Sequence, residues 1–367
     1  MAAGHSSVRT ERAVIRPEPL ACTWVQEEDR TPEVRLVANP NYWDVARGPH
    51  LAEVVFRNDL TPAQALHLVC TTEGEVDLVT EIDPADAPRV ERSPHARLVA
   101  IDAVQIIAGV INRDAAGLPL GDRGARRALN LAVDRAALVR DAFGGRATEL
   151  AGLTPSFAVS RWRRLRPYRH DPGKAGRLWR AALGDRPTRP IRVAAWGSAV
   201  PAARRVAADL KGALGVEVDL IEVARADENS ARRALAEKRE PLPWDILLLR
   251  HGAQAVDAPP LELHRAFAGE TGEFRAGPVL PEFEALYGDF AATTSVSLQA
   301  KRASKIDRFV YDEALALFLV APHTLYAVNR HVSFVPYRTT FELADTKVDS
   351  HHWSRRGPKA GSSAPHR

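Results

Sequence analysis

The chain of 367 residues, 45% of them hydrophobic, is long enough to bury a large core and exceeds one compact domain of common size. Its formal charge of +4 is small for this length, so composition alone does not favour a nucleic-acid partner. The two cysteines, Cys22 and Cys70, are too few for a cysteine-ligated metal cluster, and no apolar run of about eighteen residues predicts a membrane span.

The first third of the chain predicts a mixed sheet. Residues 1–30 are expected to be a poorly ordered lead-in without an apolar stretch of signal-peptide length. This lead-in is predicted to end in a short strand at 22–26. The predicted elements that follow are strands at 33–38 and 51–57, a helix over 61–68, and strands at 74–79, 97–103 and 105–112. The order strand, helix, strand indicates an α/β protein.

The clearest helical pattern is GDRGARRALNLAVDRAALVRDAFGG, residues 121–145. Asp122 can cap its start, and Gly144-Gly145 favours a left-handed exit. Apolar residues recur there at three- and four-residue steps: Ala125, Ala128, Leu129, Ala132 and Val133. Three arginines are predicted to lie off this apolar face: Arg126, Arg127 and Arg135. We therefore expect one helix over 122–143, buried on one side.

The rest of the chain predicts a second α/β lobe. Its expected elements are a helix from 171 to about 184, a strand at 191–196, a helix at 200–214, a strand at 216–223, a helix at 231–238, a strand at 244–249, helices at 261–268, 280–290 and 297–316, and a segment at 324–329 that carries the chain back. The long helix is expected to end before Pro322.

Several of these segments together resemble the peptide/nickel class of ABC-transporter solute-binding proteins, family 5. The resemblance rests on R-x-A-L-N-x-A-x-D-R-x-A-L and its Gly pair within 121–145, on NPNYW at 39–43, on LAEVVFR at 51–57 and on EGEVDLV at 73–79. It extends in order over residues 23–354. Family members are considerably longer, and what precedes NPNYW in them, including the export signal, is expected to be missing here.

The resemblance implies a fold and a domain plan. The fold is α/β, a two-lobed periplasmic-binding-protein-like fold (type II, cluster C) with an incomplete first lobe. Part of the first lobe would occupy 31–111, the second lobe 112–325, and the return to the first lobe with the tail 326–367. The chain would cross between lobes near 110–112 and 326–329, and the lobes would close on a ligand like a hinge.

The function implied by the resemblance is the substrate-binding component of a peptide-type ABC importer. Its partners would be a peptide or other small solute and the permease subunits, and it would be an extracytoplasmic monomer. We expect no catalytic site, metal, cofactor or nucleic acid. The alternative is a truncated, intracellular ligand-sensing or interaction module of the same fold, since residues 1–30 predict no export signal.

The predicted strand at 244–249 is followed by four candidate ligand-binding residues, which are Arg250, His251, Gln254 and Asp257. The family shows GWGADYPDP here, and in its peptide binders the first Asp pairs with the peptide ammonium. That Asp falls on Gln254, the Trp on His251 and the second Asp on Asp257, so free peptide N-termini are expected to bind poorly. His251 could instead stack on a ligand or help to hold a metal chelate, and a plain surface turn is the alternative.

Two further segments are candidates for binding. Trp196 and Ser198 flank a strand-to-helix turn whose backbone N–H groups could hold an anion, although a plain turn is about as well supported. Residues 160–180 alternate arginine with aromatic residues, a pattern that can bind nucleic acid. We favour a solvated loop there, because no recognised nucleic-acid fold surrounds it.

Overall fold

The structure is a computed structural model that describes residues 22–25, 33–44, 48–102, 105–154, 165–187, 189–224, 227–238, 241–252, 260–338 and 341–356. The chain forms two compact units, one of residues 1–99 with 325–367 and one of residues 100–324. Within the described part, no helix is both long and apolar enough to cross a membrane.

The first unit contains a small sheet, short helices and a core of its own. Its elements are β1 (Cys22–Val25), β2 (Glu33–Ala38), β3 (Glu53–Arg57), α1 (Pro62–Thr71), β4 (Leu78–Val79), α2 (Ala87–Glu91), the start of β5 (Ala96–Asp102), the end of β11 (Ala316–Asn329), β12 (Val332–Ser333) and β13 (Lys347–Val348). β1, β2 and β3 form an antiparallel sheet in that order. α1 starts at a capping box, in which Thr61 and Gln64 satisfy each other's backbone N–H groups.

The second unit carries the larger sheet. Its elements are β6 (Gln105–Ile111), α3 (Arg123–Ala132), α4 (Arg135–Phe143), β7 (Ala147–Glu149), α5 (Pro172–Leu183), β8 (Ile191–Trp196), α6 (Val200–Leu214), β9 (Val218–Val223), α7 (Glu228–Ala236), β10 (Ile246–Gly252), α8 (Arg265–Ala268), α9 (Pro281–Ala291), α10 (Val296–Asp312) and most of β11. A 3₁₀ turn at Gly197–Ala199 precedes α6, and a π-helical turn at Pro260–His264 precedes α8.

The sheet of the second unit has the order β9, β8, β10, β6, β11. β9, β8 and β10 are parallel, with Ile191 opposite Val218 and Ile246 opposite Val193. β6 runs antiparallel to both of its neighbours, β10 and β11. Gly109 in β6 permits this close packing, because a Cβ there would lie 2.9 Å from Cβ of Leu317. The carboxyl ends of the three parallel strands therefore lie side by side at one end of the sheet.

The prediction of a single helix over 122–143 is wrong, because the structure has two helices there, α3 and α4. The chain is extended at Val133, and Asp134 starts α4 by accepting a hydrogen bond from the backbone N–H of Ala137 at 2.9 Å. A second cap within the pattern therefore interrupts the apolar periodicity. Asp122 caps α3 as predicted, and Gly144 takes the left-handed conformation at the end of α4.

Two of the three arginines predicted to lie off the apolar face are buried. Arg126 and Arg135 are 4% and 2% exposed, whereas Arg127 is exposed. Arg126 donates to the backbone oxygens of Gly121 and Glu313 at 2.7 and 2.8 Å. These arginines can be buried because backbone carbonyl groups accept the hydrogen bonds of their guanidinium groups.

The ends of other predicted elements also differ. The helix predicted over 297–316 ends at Asp312, because Ala314 takes a left-handed conformation and Ala316 starts β11. β11 continues through Pro322, which lies opposite Ala147 of β7. β6 was expected to carry the chain out of the first lobe but lies inside the sheet of the second unit. The division into lobes at 31–111, 112–325 and 326–367 stays a prediction.

Candidate functional site

The parallel strands β8, β9 and β10 end at the same edge of the sheet, at Trp196, Val223 and Gly252. An open depression of about 530 Å³ lies at this edge, a size suited to a small ligand. Its lining residues are Trp196, Gly197, Ser198, Val200, Val223, Glu228, Arg232 and Arg250. Trp196, Ser198 and Arg250, three of the predicted binding residues, are thus brought together.

Trp196 and Ser198 are positioned by the turn between β8 and α6. Trp196 ends a buried strand and is itself 5% exposed, whereas Ser198 is exposed in the 3₁₀ turn. Gly197 between them has φ of +52°, a conformation that residues with a Cβ resist. The turn therefore places both Ser198 and Trp196 in the lining of the depression.

Arg250 reaches the depression from the end of β10. Its Nε donates to Oε1 of Gln105, the first residue of β6, at 2.6 Å. Gly252 lies opposite Gln105 in the β10–β6 ladder, so the antiparallel register brings the start of β6 beside the end of β10. This hydrogen bond positions the Arg250 guanidinium at the end of β10.

His251 does not line the depression. Side chains alternate along a strand, and that of His251 packs against the rings of Phe274 and Phe267, at centroid distances of 5.0 and 6.4 Å. Burial lowers the pKa of the imidazole. Its Nε2 is buried without a hydrogen-bond partner among the described residues. This surrounding favours a neutral ring that packs on aromatic neighbours.

The remaining candidates lie outside the described residues. These are Gln254, Asp257 and, in the basic segment 160–180, residues 160–164. In the part of the chain that is described, no group of three or more His, Cys, Asp or Glu side chains could hold a metal ion.

The structure adds two binding candidates that sequence reasoning missed, Glu228 and Arg232. The helix was predicted to start at 231, whereas α7 starts at Glu228, so the two side chains lie one turn apart on one helix. The guanidinium carbon of Arg232 lies 5.8 Å from the centroid of the Trp196 ring. Oε1 of Glu228 lies 3.4 Å from where a Cβ on Gly197 would be. The i, i+4 spacing of the two charges was the available signal.

A second depression, of about 430 Å³, lies at the opposite edge of these strands and includes Arg189 and Arg192. Both donate to the buried carboxylate of Asp245, at 2.8 and 2.9 Å. Burial raises the pKa of Asp245, but the hydrogen bonds from Arg189 and Arg192 outweigh it and hold the pKa below its ordinary value. Because these charges satisfy one another, the first depression is the better candidate for ligand binding.

Comparison with known proteins identifies one family. Residues 24–264 match the bacterial extracellular solute-binding proteins, family 5 (middle region). The chain is 28% identical over 145 residues to a probable di/tripeptide-binding protein 5 of Pseudomonas aeruginosa, covering 40% of this chain and 26% of that protein. It is 32% identical over 110 residues to the glutathione-binding protein GsiB of Shigella flexneri, covering 30% and 21%. These matches thus span about a quarter of the relatives' length.

Solved structures share the fold. The ABC transporter substrate-binding protein CtaP of Listeria monocytogenes superposes with a TM-score of 0.74 at 19% identity, covering 90% of this chain and 66% of that one. NikA of Brucella suis, solved with Fe(III)-EDTA, superposes with a TM-score of 0.72 at 17% identity, covering 90% and 68%. The predicted α/β fold is confirmed by these likenesses.

Proposed function

Because the chain belongs to the bacterial extracellular solute-binding proteins of family 5, we propose that it binds a peptide or another small solute for an ABC importer. The observation that carries the proposal is the depression at the carboxyl ends of β8, β9 and β10, where α/β proteins bind ligands. It joins polar and charged groups to an aromatic wall, the composition expected of a small-molecule site.

We assign the binding contacts to Trp196, Ser198 and Arg250. The Ser198 hydroxyl can donate or accept a hydrogen bond, and the Arg250 guanidinium can donate to carbonyl or carboxylate oxygens of the solute. His251 is not among these contacts, because its ring packs against Phe274. Gln254 and Asp257, which follow Arg250 in the chain, are proposed to complete the site.

The further parts of the proposal concern partners and location. The protein acts outside the cytoplasm as a monomer, delivers its solute to permease subunits, and does not bind nucleic acid. Capture by hinge closure of two lobes stays a prediction from the resemblance. The proposal includes no catalytic step, because members of this family bind solutes.

Isothermal titration calorimetry tests the proposal with two sets of ligands. Di- and tripeptides represent the cargo named for the P. aeruginosa relative, and iron chelates represent the ligand in the B. suis NikA structure. We expect saturable heat with one set, weakened about tenfold to a hundredfold by Arg250→Gln, since a charge-assisted hydrogen bond contributes about 1.5–3 kcal/mol. Arg204→Gln, on the exposed surface of α6, is the matched control. Heat from neither set would refute the proposed transport cargo.

A further inference from the structure

Helix α7 forms one wall of the depression but buries little of its own surface. Its residues Glu228 and Arg232 both line the depression. Of the nine residues of α7, all of which the structure describes, only Leu235 is buried. By comparison, the neighbouring helix α6 buries five apolar side chains, which are Ala202, Ala203, Val206, Leu210 and Leu214. Because apolar burial provides most of the attachment of a helix, α7 can leave its place at a lower free-energy cost than α6.

Lys238 connects the end of α7 to the segment 272–275. Its Nζ donates to the carbonyl oxygens of Gly272 and Arg275, at 2.5 and 3.0 Å, and lies 3.5 Å from that of Glu273. Burial lowers the pKa of Lys238 to about 8, so at pH 7 the amine is still mostly protonated and has three N–H groups to donate. The backbone of Lys238 has φ of +56°, a strained conformation that persists where surrounding contacts hold it.

The segment 272–275 is a rigid partner for Lys238. Phe274 is fully buried, and its backbone N–H donates to the carbonyl of Ala266 at 2.8 Å. Gly272 lies so close to α8 that a Cβ there would be 2.2 Å from the carbonyl oxygen of Arg265. Because these contacts attach the segment to the core without α7, its carbonyl groups stay in place when the helix moves.

Arg232 supplies the other polar attachments of α7. Its guanidinium forms an ion pair with Glu273 at 3.4 Å, in which the two side chains are 48% and 34% exposed. Its central carbon lies 5.8 and 5.7 Å from the centroids of the Trp196 and Phe274 rings. Each of these interactions is weaker than a hydrogen bond from a charged group to a carbonyl. Among the described residues, Lys238 therefore makes the strongest polar attachment of the helix.

We propose that α7 is a movable wall of the depression and that Lys238 is the positioning residue that holds it in place. While Lys238 is bound to the segment 272–275, Glu228 and Arg232 line the depression. When these hydrogen bonds break, both residues leave the lining and the depression loses this wall. The inference rests on the proposed function, because it assigns a conformational control to the same depression.

Hydrogen–deuterium exchange of the full chain without ligand at pH 7, measured by mass spectrometry of peptides, tests the inference. The wild type is compared with Lys238→Met, which keeps the side-chain length but removes the donors, and with Lys211→Met. Lys211 is exposed on α6 and pairs with Glu217 at 2.8 Å, so its variant controls for the loss of a lysine charge. We expect exchange in α7 to accelerate at least about tenfold in Lys238→Met alone, with α6 and the segment 272–275 unchanged.

Three results would overturn the inference. The first is an α7 that is unprotected in the wild type or exchanges equally in Lys238→Met. The second is an acceleration that includes α6, because the helix would then have no motion of its own. The third is an acceleration confined to the segment 272–275, because that segment and not the helix would then move.

Calorimetry with N-acetyl-trialanine, a tripeptide without a free ammonium, examines the wall itself. Lys238→Met should weaken its binding severalfold, because part of the binding free energy is spent on returning α7 to its place, and Lys211→Met should not. Unchanged affinity together with a mobile α7 would refute the role of the helix as a wall. Absence of binding to all three proteins would count against the proposed peptide cargo alone, and the exchange experiment would still decide the inference.

Discussion

The Arg135 guanidinium donates to the side-chain oxygen of Asn130, with an Nη2–Oδ1 distance of 3.0 Å, in the core of the second unit. The same oxygen accepts from the backbone N–H of Phe318 at 3.1 Å, and the Asn130 amide donates to the Ala316 carbonyl at 2.9 Å. Arg135 also donates through Nε to the Phe318 carbonyl at 2.6 Å. Two side chains from the helical pattern thus satisfy the backbone of β11, and burial lowers the pKa of Arg135 to about 10.

Replacing Asn130 should therefore destabilise the second unit. Asn130→Ala leaves backbone groups of Ala316 and Phe318 and one Arg135 donor unpaired in the core, so we expect a loss of about 3 kcal/mol in the free energy of unfolding. Urea denaturation followed by circular dichroism measures it. Arg127→Ala, on the exposed side of α3, is the control and should change the midpoint little. Equal midpoints for the two variants would show that the Asn130 contacts contribute no net stability.

The sequence predicted much of the second unit because its local signals are strong. The strand Ile191–Trp196 and the helix Val200–Leu214, closed by the left-handed Gly215, match the predicted bounds. The burial of Arg135 could not be predicted in this way. Helical periodicity classes arginine as polar, whereas its burial depends on carbonyl acceptors in Tyr168 and Phe318, which lie far away in the chain.

The candidate site was partly predictable for the same reason. Arg250 was predicted because it follows a predicted strand, where α/β proteins bind ligands, and Trp196 and Ser198 because they lie at a strand-to-helix turn. Arg232 carried no comparable signal, since its contacts with Trp196 and Phe274 join separate elements. Strand alternation could have placed His251 on the face away from Arg250, but the nature of that face became clear only with Phe267 and Phe274.

The Asp245 ion pairs predict a pH-dependent contribution to stability. The buried carboxylate accepts hydrogen bonds from Arg189 and from the backbone N–H of Arg192, each at 2.8 Å, and its pKa lies below the ordinary value. Breaking a buried pair costs about 3–5 kcal/mol, so Asp245→Asn should lower the free energy of unfolding by about 3 kcal/mol at pH 7.

This contribution should disappear in acid. A lowered folded-state pKa stabilises the protein above the unfolded value of about 3.9 and loses its effect as the pH falls toward the folded pKa. The difference between the wild type and Asp245→Asn, measured by urea midpoints at pH 7, 5 and 3, should thus shrink at the lowest pH. Asp219→Asn, exposed on β9, should show a small difference throughout. A gap for Asp245→Asn that is constant with pH would contradict the assignment.

Asp77 should anchor the C-terminal segment to the first unit. Its carboxylate accepts hydrogen bonds from Asn329 at 2.9 Å, from Nε2 of His352 at 3.1 Å and from the Trp353 indole at 3.0 Å. Asp77→Ala removes the acceptor that these donors share, so the segment 349–356 should open more often. Opening costs less free energy when such contacts are lost, and trypsin cleavage at Arg355 and Arg356 should accelerate about tenfold.

Peptide mapping over a time course measures that cleavage. Glu75→Ala, an exposed carboxylate two residues away, should leave the rate unchanged. If Asp77→Ala is cleaved no faster than Glu75→Ala, the segment is held by other contacts, of which the ion pair between Arg356 and Glu73 is the first to test.

A double-mutant cycle should show that Gln105 acts on the ligand through Arg250. Gln105 accepts from the Arg250 Nε at 2.6 Å and is absent from the lining of the depression, so its proposed role is to position the guanidinium. Gln105→Ala should weaken N-acetyl-trialanine binding severalfold, and Arg250→Gln should weaken it more strongly. In the Arg250→Gln background, Gln105→Ala should have no further effect, because the group that it orients is gone. Calorimetry on the four proteins gives the coupling free energy, and additive losses in the double mutant would mean that Gln105 acts independently of Arg250.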